Sequence, residues 1–124
     1  MTKTWKVSWN SKLYNYKKLI SDFKNNINSG IIYQSKGRAI MKNLPQINDI
    51  VHISCNKQHI MTCIVLTNFI IGGIEQVKDE YNIGDQLDRL HSSNNTYLTM
   101  KIINIYENPE YLRGCQRTWC TYRN

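Results

Sequence analysis

An α+β domain built on a small mixed β-barrel is the fold class this sequence predicts, and three observations predict it. Trp5, Val7 and Trp9 alternate with Lys6 and Ser8, a period of two that places both tryptophans on one face of a strand. Tyr16, Leu19, Ile20, Phe23 and Ile27 then recur at helical spacing, with Lys17, Lys18, Lys24, Asn25 and Asn26 on the other side. Beyond them come short β-rich runs divided by turn signals, the longer ones adjacent and suited to hairpins. Five or six strands and one firm helix in 124 residues make a single domain, 1–124, with the helix against an opening of the barrel.

The elements follow in order. The first strand, residues 4–9, is broken by Asn10-Ser11, and the helix at roughly 13–28 ends with Gly30 in the left-handed position after its C-terminus. Ile31-Ile32-Tyr33 forms a second strand that turns at Gly37, and Ile40, Met41 and Leu44 make one helical turn stopped by Pro45. Asn48-Asp49 is a turn before the strand Ile50 to Ser54. Asn56-Lys57-Gln58 forms a hairpin tip leading into a long strand from Ile60 to Phe69. Residues 72–95, with mixed charge and a faint helical pattern at Gln86 to Leu90, read as a mobile excursion. Strand character returns from Tyr97 to Tyr106, Pro109 begins a short turn or helix, and Trp119 to Tyr122 closes the chain as a last strand or ordered tail.

Charge narrows the partner. Sixteen Lys and Arg against nine Asp and Glu give +7, which favours an acidic polymer. Residues 1–62 hold nine Lys, Arg38 and only Asp22 and Asp49, a balance of +8, whereas the remainder is at −1. No stretch approaches the ~20 apolar residues of a membrane span. The first ten residues lack the apolar block of a secretory signal, so the expected location is intracellular, cytoplasm or nucleus, with Cys55, Cys63, Cys115 and Cys120 as free thiols. The weight of Asn, Ile and Lys is that of an AT-rich genome, cellular or viral. Oligomeric state is left open.

Several residues resemble the PUA-like superfamily, particularly its EVE and YTH branch. The stretches that carry the resemblance are Trp5 to Trp9, the helix, Ile32-Tyr33-Gln34-Ser35-Lys36-Gly37-Arg38, Ile40 to Leu44, Asn48-Asp49-Ile50-Val51 and Met61 to Phe69. Asn48 stands where the family's turn has glycine, and Tyr33 where relatives commonly have tryptophan. The resemblance implies a noncatalytic module that binds DNA or RNA and takes a modified base into an aromatic pocket, without a cofactor.

The residues themselves permit such a site. A base has two π faces and a hydrogen-bonding edge, so a selective pocket needs flat walls and a few fixed polar groups. Trp5, Trp9, Trp119, Tyr14, Tyr16 and Tyr33 supply rings. The pocket is expected to form chiefly from Trp9 and Tyr33, with Trp119 as a third wall and Asn10, Ser11 and Ser35 reading the edge. Lys12, Lys17, Lys36, Arg38, Arg113 and Arg117 are the candidates for phosphates. A small barrel also needs large rings inside it, so at least one tryptophan belongs to the core.

Other chemistries have weaker footing. Cys55, His59 and Cys63 have ligand types suited to zinc but straddle a hairpin, and the expected reading is buried thiols and a surface histidine, with no metal. Asp85, Asp88 and His91 are spaced at three and read as surface charge. Two alternatives stay open: a small ASCH-like hydrolase of a modified nucleoside, for which Lys6, Thr62, Thr67 and Glu75 are present, and a protein-interaction module whose basic face meets an acidic protein.

Overall fold

A computed structural model describes residues 2–36, 41–71, 81–83 and 96–122. The elements are β1 (Thr4–Trp9), α1 (Tyr16–Lys24), β2 (Ile31–Ser35), β3 (Ile50–Cys55), β4 (Gln58–Val65), β5 (Ile70–Ile71), β6 (Thr96–Ile105) and β7 (Trp119–Thr121). Six strands run in the order β2-β6-β4-β3-β1-β7, and β5 adds to β6. Among the described residues only β1 and β3 pair in parallel, so the sheet is mixed. It curls into a half-barrel whose inner face carries Trp5, Val7, Ile32, Val51, Ile53, Met61, Cys63, Val65, Leu98, Met100 and Ile102. The α+β, barrel-like class read from the sequence is what the chain forms.

Local chemistry accounts for the element boundaries. The helix begins at Tyr16 rather than residue 13 because the Asn15 side chain accepts the Lys18 N–H as an N-cap. It stops at Lys24. Asn26, at φ 59°, takes the left-handed position expected of Gly30, since asparagine tolerates that region. Ile27 therefore falls beyond the helix and is 72% exposed, against the expectation that it packs inward. Leu19 is fully buried, and Tyr16, Ile20 and Phe23 are partly buried against the core. Gly30, at φ 85°, instead immediately precedes β2, and a Cβ there would stand 2.7 Å from the Phe23 ring.

The hairpin tip is a two-residue turn, Asn56 and Lys57 at φ 52° and 62°, and Gln58 already belongs to β4. Both central residues in the left-handed region are what a tight turn matched to strand twist requires. The long strand expected through Phe69 ends at Val65, with one last bond in the same register from the Leu66 N–H to the Thr99 carbonyl. Met41 to Leu44 bend without forming the expected helical turn, and Pro45 is buried. Most of 72–95 lies outside the described residues, as do Gly37, Arg38, Ile40, Glu75, Asp85, Asp88 and His91. Tyr81, which falls within that expected mobile excursion, is instead buried and donates its O–H to Asp22 at 2.8 Å.

The expectation of four free thiols is corrected. Cys115 and Cys120 form a disulfide, while Cys55 and Cys63 remain buried thiols. Cys120 sits opposite Lys6 on β1, and the Cys115 N–H donates to the Ser8 hydroxyl at 2.6 Å, so β1 draws both ends of the loop together. Among the described residues no helix is long and apolar enough to cross a membrane.

Candidate nucleic-acid interface

The two edges of the half-barrel meet through side chains, and most of the predicted pocket residues lie along that seam. Trp9, at the end of β1, donates its indole N–H to Gln34 Oε1 at 2.8 Å. Gln34 Nε2 in turn donates to the Ser35 carbonyl at 3.1 Å, and the Trp119 indole donates to the same carbonyl at 2.9 Å. Two indoles from β1 and β7 are thus joined by consecutive residues of β2. Fixing an N–H in this way also fixes the plane of its ring.

Trp9 is half-buried and backed by Tyr14, ring centroids 4.9 Å apart. The turn after it supplies Asn10, whose side chain accepts the Lys12 N–H, and Ser11, whose hydroxyl accepts from Asn56 at 3.4 Å. Lys57 sits beside Asn56 at the hairpin tip, and its carbonyl accepts the Leu112 N–H, which brings Arg113 to the same end. Lys12, Lys57 and Arg113 are exposed. Lys36 follows Ser35 on the other side of the seam. Trp9, Asn10, Ser11, Lys12, Ser35, Lys36 and Arg113 therefore share one region.

Other candidates do not join them. Tyr33 alternates with the inward-facing Ile32 and Gln34, so its ring lies on the opposite face of β2, edge-on to Tyr97 at 6.3 Å. A two-walled pocket of Trp9 and Tyr33 is therefore not formed. Strand alternation separates them. Trp119 is a core residue, 4% exposed and packed edge-on against Trp5 and Phe69. Lys17 points outward from α1, and Arg117 sits in the disulfide loop, exposed. Tyr14, one of the rings the sequence supplies, backs Trp9, whereas Gln34 and Lys57 are not among the sequence candidates for pocket or phosphate, because only contacts between distant segments reveal them.

A second polar constellation lies on the outer face. His52 Nδ1 and His59 Nε2 stand 2.9 and 3.0 Å from Thr62 Oγ1, and the Tyr106 hydroxyl is 2.9 Å from the same oxygen. The imidazole centroids are 4.5 Å apart, Tyr122 packs on His52, and Tyr106 packs on His59. Cys63 faces the core, so Cys55, His59 and Cys63 do not converge. Lys6 and Thr62 lie in one cross-strand row with His52 between them, whereas Thr67 bonds Thr99 elsewhere.

Burial holds the His52 imidazole below its usual titration range, with the neighbouring His59 adding to the shift. Burial also lowers His59, against an opposing pull from the Met61 backbone and Glu110. The unfolded chain takes up these protons near pH 6.5, and the folded chain resists them until lower pH. Folding is therefore unaffected by them well above about 6.5 and destabilised as pH falls below it. The melting temperature is expected to drop between pH 7.5 and pH 5, and His52→Gln with His59→Gln should flatten that drop. An equally steep loss in the double variant would place the titration elsewhere.

Compared with known proteins, the chain matches no protein-family model and no curated protein.

Proposed function

We propose that the protein is a noncatalytic nucleic-acid-binding module of the PUA-like kind, holding a modified base at the seam of the half-barrel. The observation that carries this reading is Trp9: a half-exposed ring with its N–H tied to Gln34, its back against Tyr14, and cationic residues on both sides of it. Trp9 supplies one stacking wall, and Asn10, Ser11 and the Gln34 amide supply edge-reading groups. Lys12, Lys36, Lys57 and Arg113 take flanking phosphates. Division of labour follows, because phosphate contacts position a strand and ring and edge contacts specify it.

The test uses single- and double-stranded oligonucleotides carrying methylated, hydroxymethylated or unmodified bases. Log affinity should fall linearly with log salt, and Lys12→Glu with Lys36→Glu should weaken all sequences alike and reduce that slope. Trp9→Ala should remove ~1–3 kcal/mol of stacking and with it the preference between bases, while the circular dichroism spectrum is kept. Selectivity that survives Trp9→Ala would move the base site elsewhere, and binding without salt dependence would remove nucleic acid as the ligand. Product released from a free modified nucleoside, followed by chromatography, would favour the hydrolase. Capture of an acidic protein that nucleic acid does not compete away would favour the protein-interaction module.

A further inference from the structure

The outer-face constellation owes its existence to two irregularities in the sheet. His59 and Thr62 are three residues apart on β4, an odd spacing that strict alternation sends to opposite faces. Between Ile53 and Ser54 the register jumps, so that Ile53 faces Met61 while Ser54 faces His59, and Ile60 becomes an extra residue. Ile60 and Met61 both turn into the core, and His59 emerges on the side of Thr62. A second jump, between Thr62 and Cys63, makes Ile103 the extra residue on β6. Bulges re-aim side chains in this way and recur beside functional sites.

The result is a group of proton acceptors in the same cross-strand row as a lysine. Lys6 on β1, His52 on β3 and Thr62 on β4 occupy one cross-strand row. A threonine hydroxyl has one proton to give and two lone pairs, and Thr62 has three partners. With both imidazoles neutral the set closes: Thr62 donates to one ring and accepts from the other ring and from Tyr106. One added proton can be absorbed by turning the Thr62 hydroxyl toward Tyr106. A second makes two cationic rings 4.5 Å apart. The groups facing them are Lys6 from β1, Tyr122 after β7, Tyr106 after β6 and Glu110 beyond it. Glu110 alone among these is acidic, so a doubly protonated pair calls for an external anion.

We infer that this face is a second, proton-gated phosphate-binding site, at which His52, His59 and Lys6 hold a backbone phosphate of the same nucleic acid. The inference rests on the nucleic-acid reading above. Tyr106 and Tyr122 border the site as rings on which an adjacent base can stack. Linkage makes the effect reciprocal: protons tighten phosphate, and phosphate draws protons onto the imidazoles.

The experiment compares binding of a short RNA and of inorganic polyphosphate at pH 7.5 and 5.5, at constant ionic strength. Affinity should rise about tenfold at the lower pH, within the usual span of coupling between two sites. Calorimetry in two buffers of different ionisation enthalpy should show net proton uptake at pH 6. The variant carrying His52→Gln and His59→Gln should keep the pH 7.5 affinity and lose both the tightening and the uptake. His59→Gln alone, with its melting curve recorded, serves if the double variant does not fold. Unchanged wild-type affinity, or tightening that persists in the variants, which retain His91, overturns the site. Loss of binding at pH 7.5 in the lysine variants bears on the seam instead, so the two failures are distinguishable. Polyphosphate that binds without tightening while RNA tightens also counts against a phosphate site.

Discussion

Replacing Trp119 by alanine is expected to cost ~3–5 kcal/mol of folding free energy, the range for deleting a large buried ring. The ring is 4% exposed and touches Trp5 and Phe69 edge-on, so its removal opens a cavity on the inner face of the sheet. Trp119→Phe is expected to cost less than the alanine variant but more than the ~1 kcal/mol of one hydrogen bond, since it keeps a six-membered ring yet removes the rest of the indole together with the N–H bonded to the Ser35 carbonyl. Urea denaturation of both variants checks the ordering. A loss under ~1 kcal/mol for the alanine variant would mean that the ring is not part of the core.

Asp49→Ala is expected to follow at ~3 kcal/mol, because it strands donors rather than removing bulk. The carboxylate is buried and accepts from the Trp5 indole at 2.9 Å and from the backbone N–H groups of Lys3 and Gln46 at 3.0 and 2.8 Å. Burial alone pushes this carboxyl up, but the hydrogen bonds from Lys3, Gln46 and Trp5 outweigh it and leave it below the ordinary carboxylate range. Its contribution to stability is therefore present above about pH 4 and lost as pH falls further, a window distinct from that of the histidines. Asp49→Asn should rescue it only in part, since the amide oxygen can still accept from the Trp5 and Gln46 donors while its NH2 faces the Lys3 N–H and cannot accept from it. A variant as stable as the parent in thermal melts would remove Asp49 from this role.

These two residues mark where the sequence was and was not readable. Asp49 reads as a turn residue after Asn48, and Asn48 indeed holds φ 75°, yet two of its three partners, Lys3 and Trp5, come from a distant segment and only Gln46 is local. The alternation of Trp5, Val7 and Trp9 translated directly into β1 because period two leaves little freedom once one face is buried. The helix was over-extended because Ile27 continued the apolar spacing, and only the asparagines at 25 and 26 end it. Trp9 was placed at a strand end with polar neighbours, and the seam has those features. Tyr33 failed as its partner by one position in β2, which is enough to reverse a side chain. The sequence offers His59 only as a surface histidine beside Cys55 and Cys63 and gives no sign that His52 joins it, because bulges leave no local mark in composition. His52, His59 and Thr62 become neighbours only when Ile60 is accommodated as an extra residue.

Among the described residues the half-barrel is closed by indoles rather than by a ladder of main-chain bonds, which has a consequence for how the fold breathes. A ladder between two edges shares the load over many amides and opens cooperatively with the sheet. Here the Trp119 link spans 84 residues of sequence and the Trp9 link 25, and each is a single bond. Amide hydrogen exchange should therefore sort the chain into two classes. Amides between β3, β4 and β6 would exchange only on global unfolding, while those of β7 would exchange through a cheaper parting of the seam. A molecule arranged this way can admit a ligand between its edges while most of its sheet stays shut.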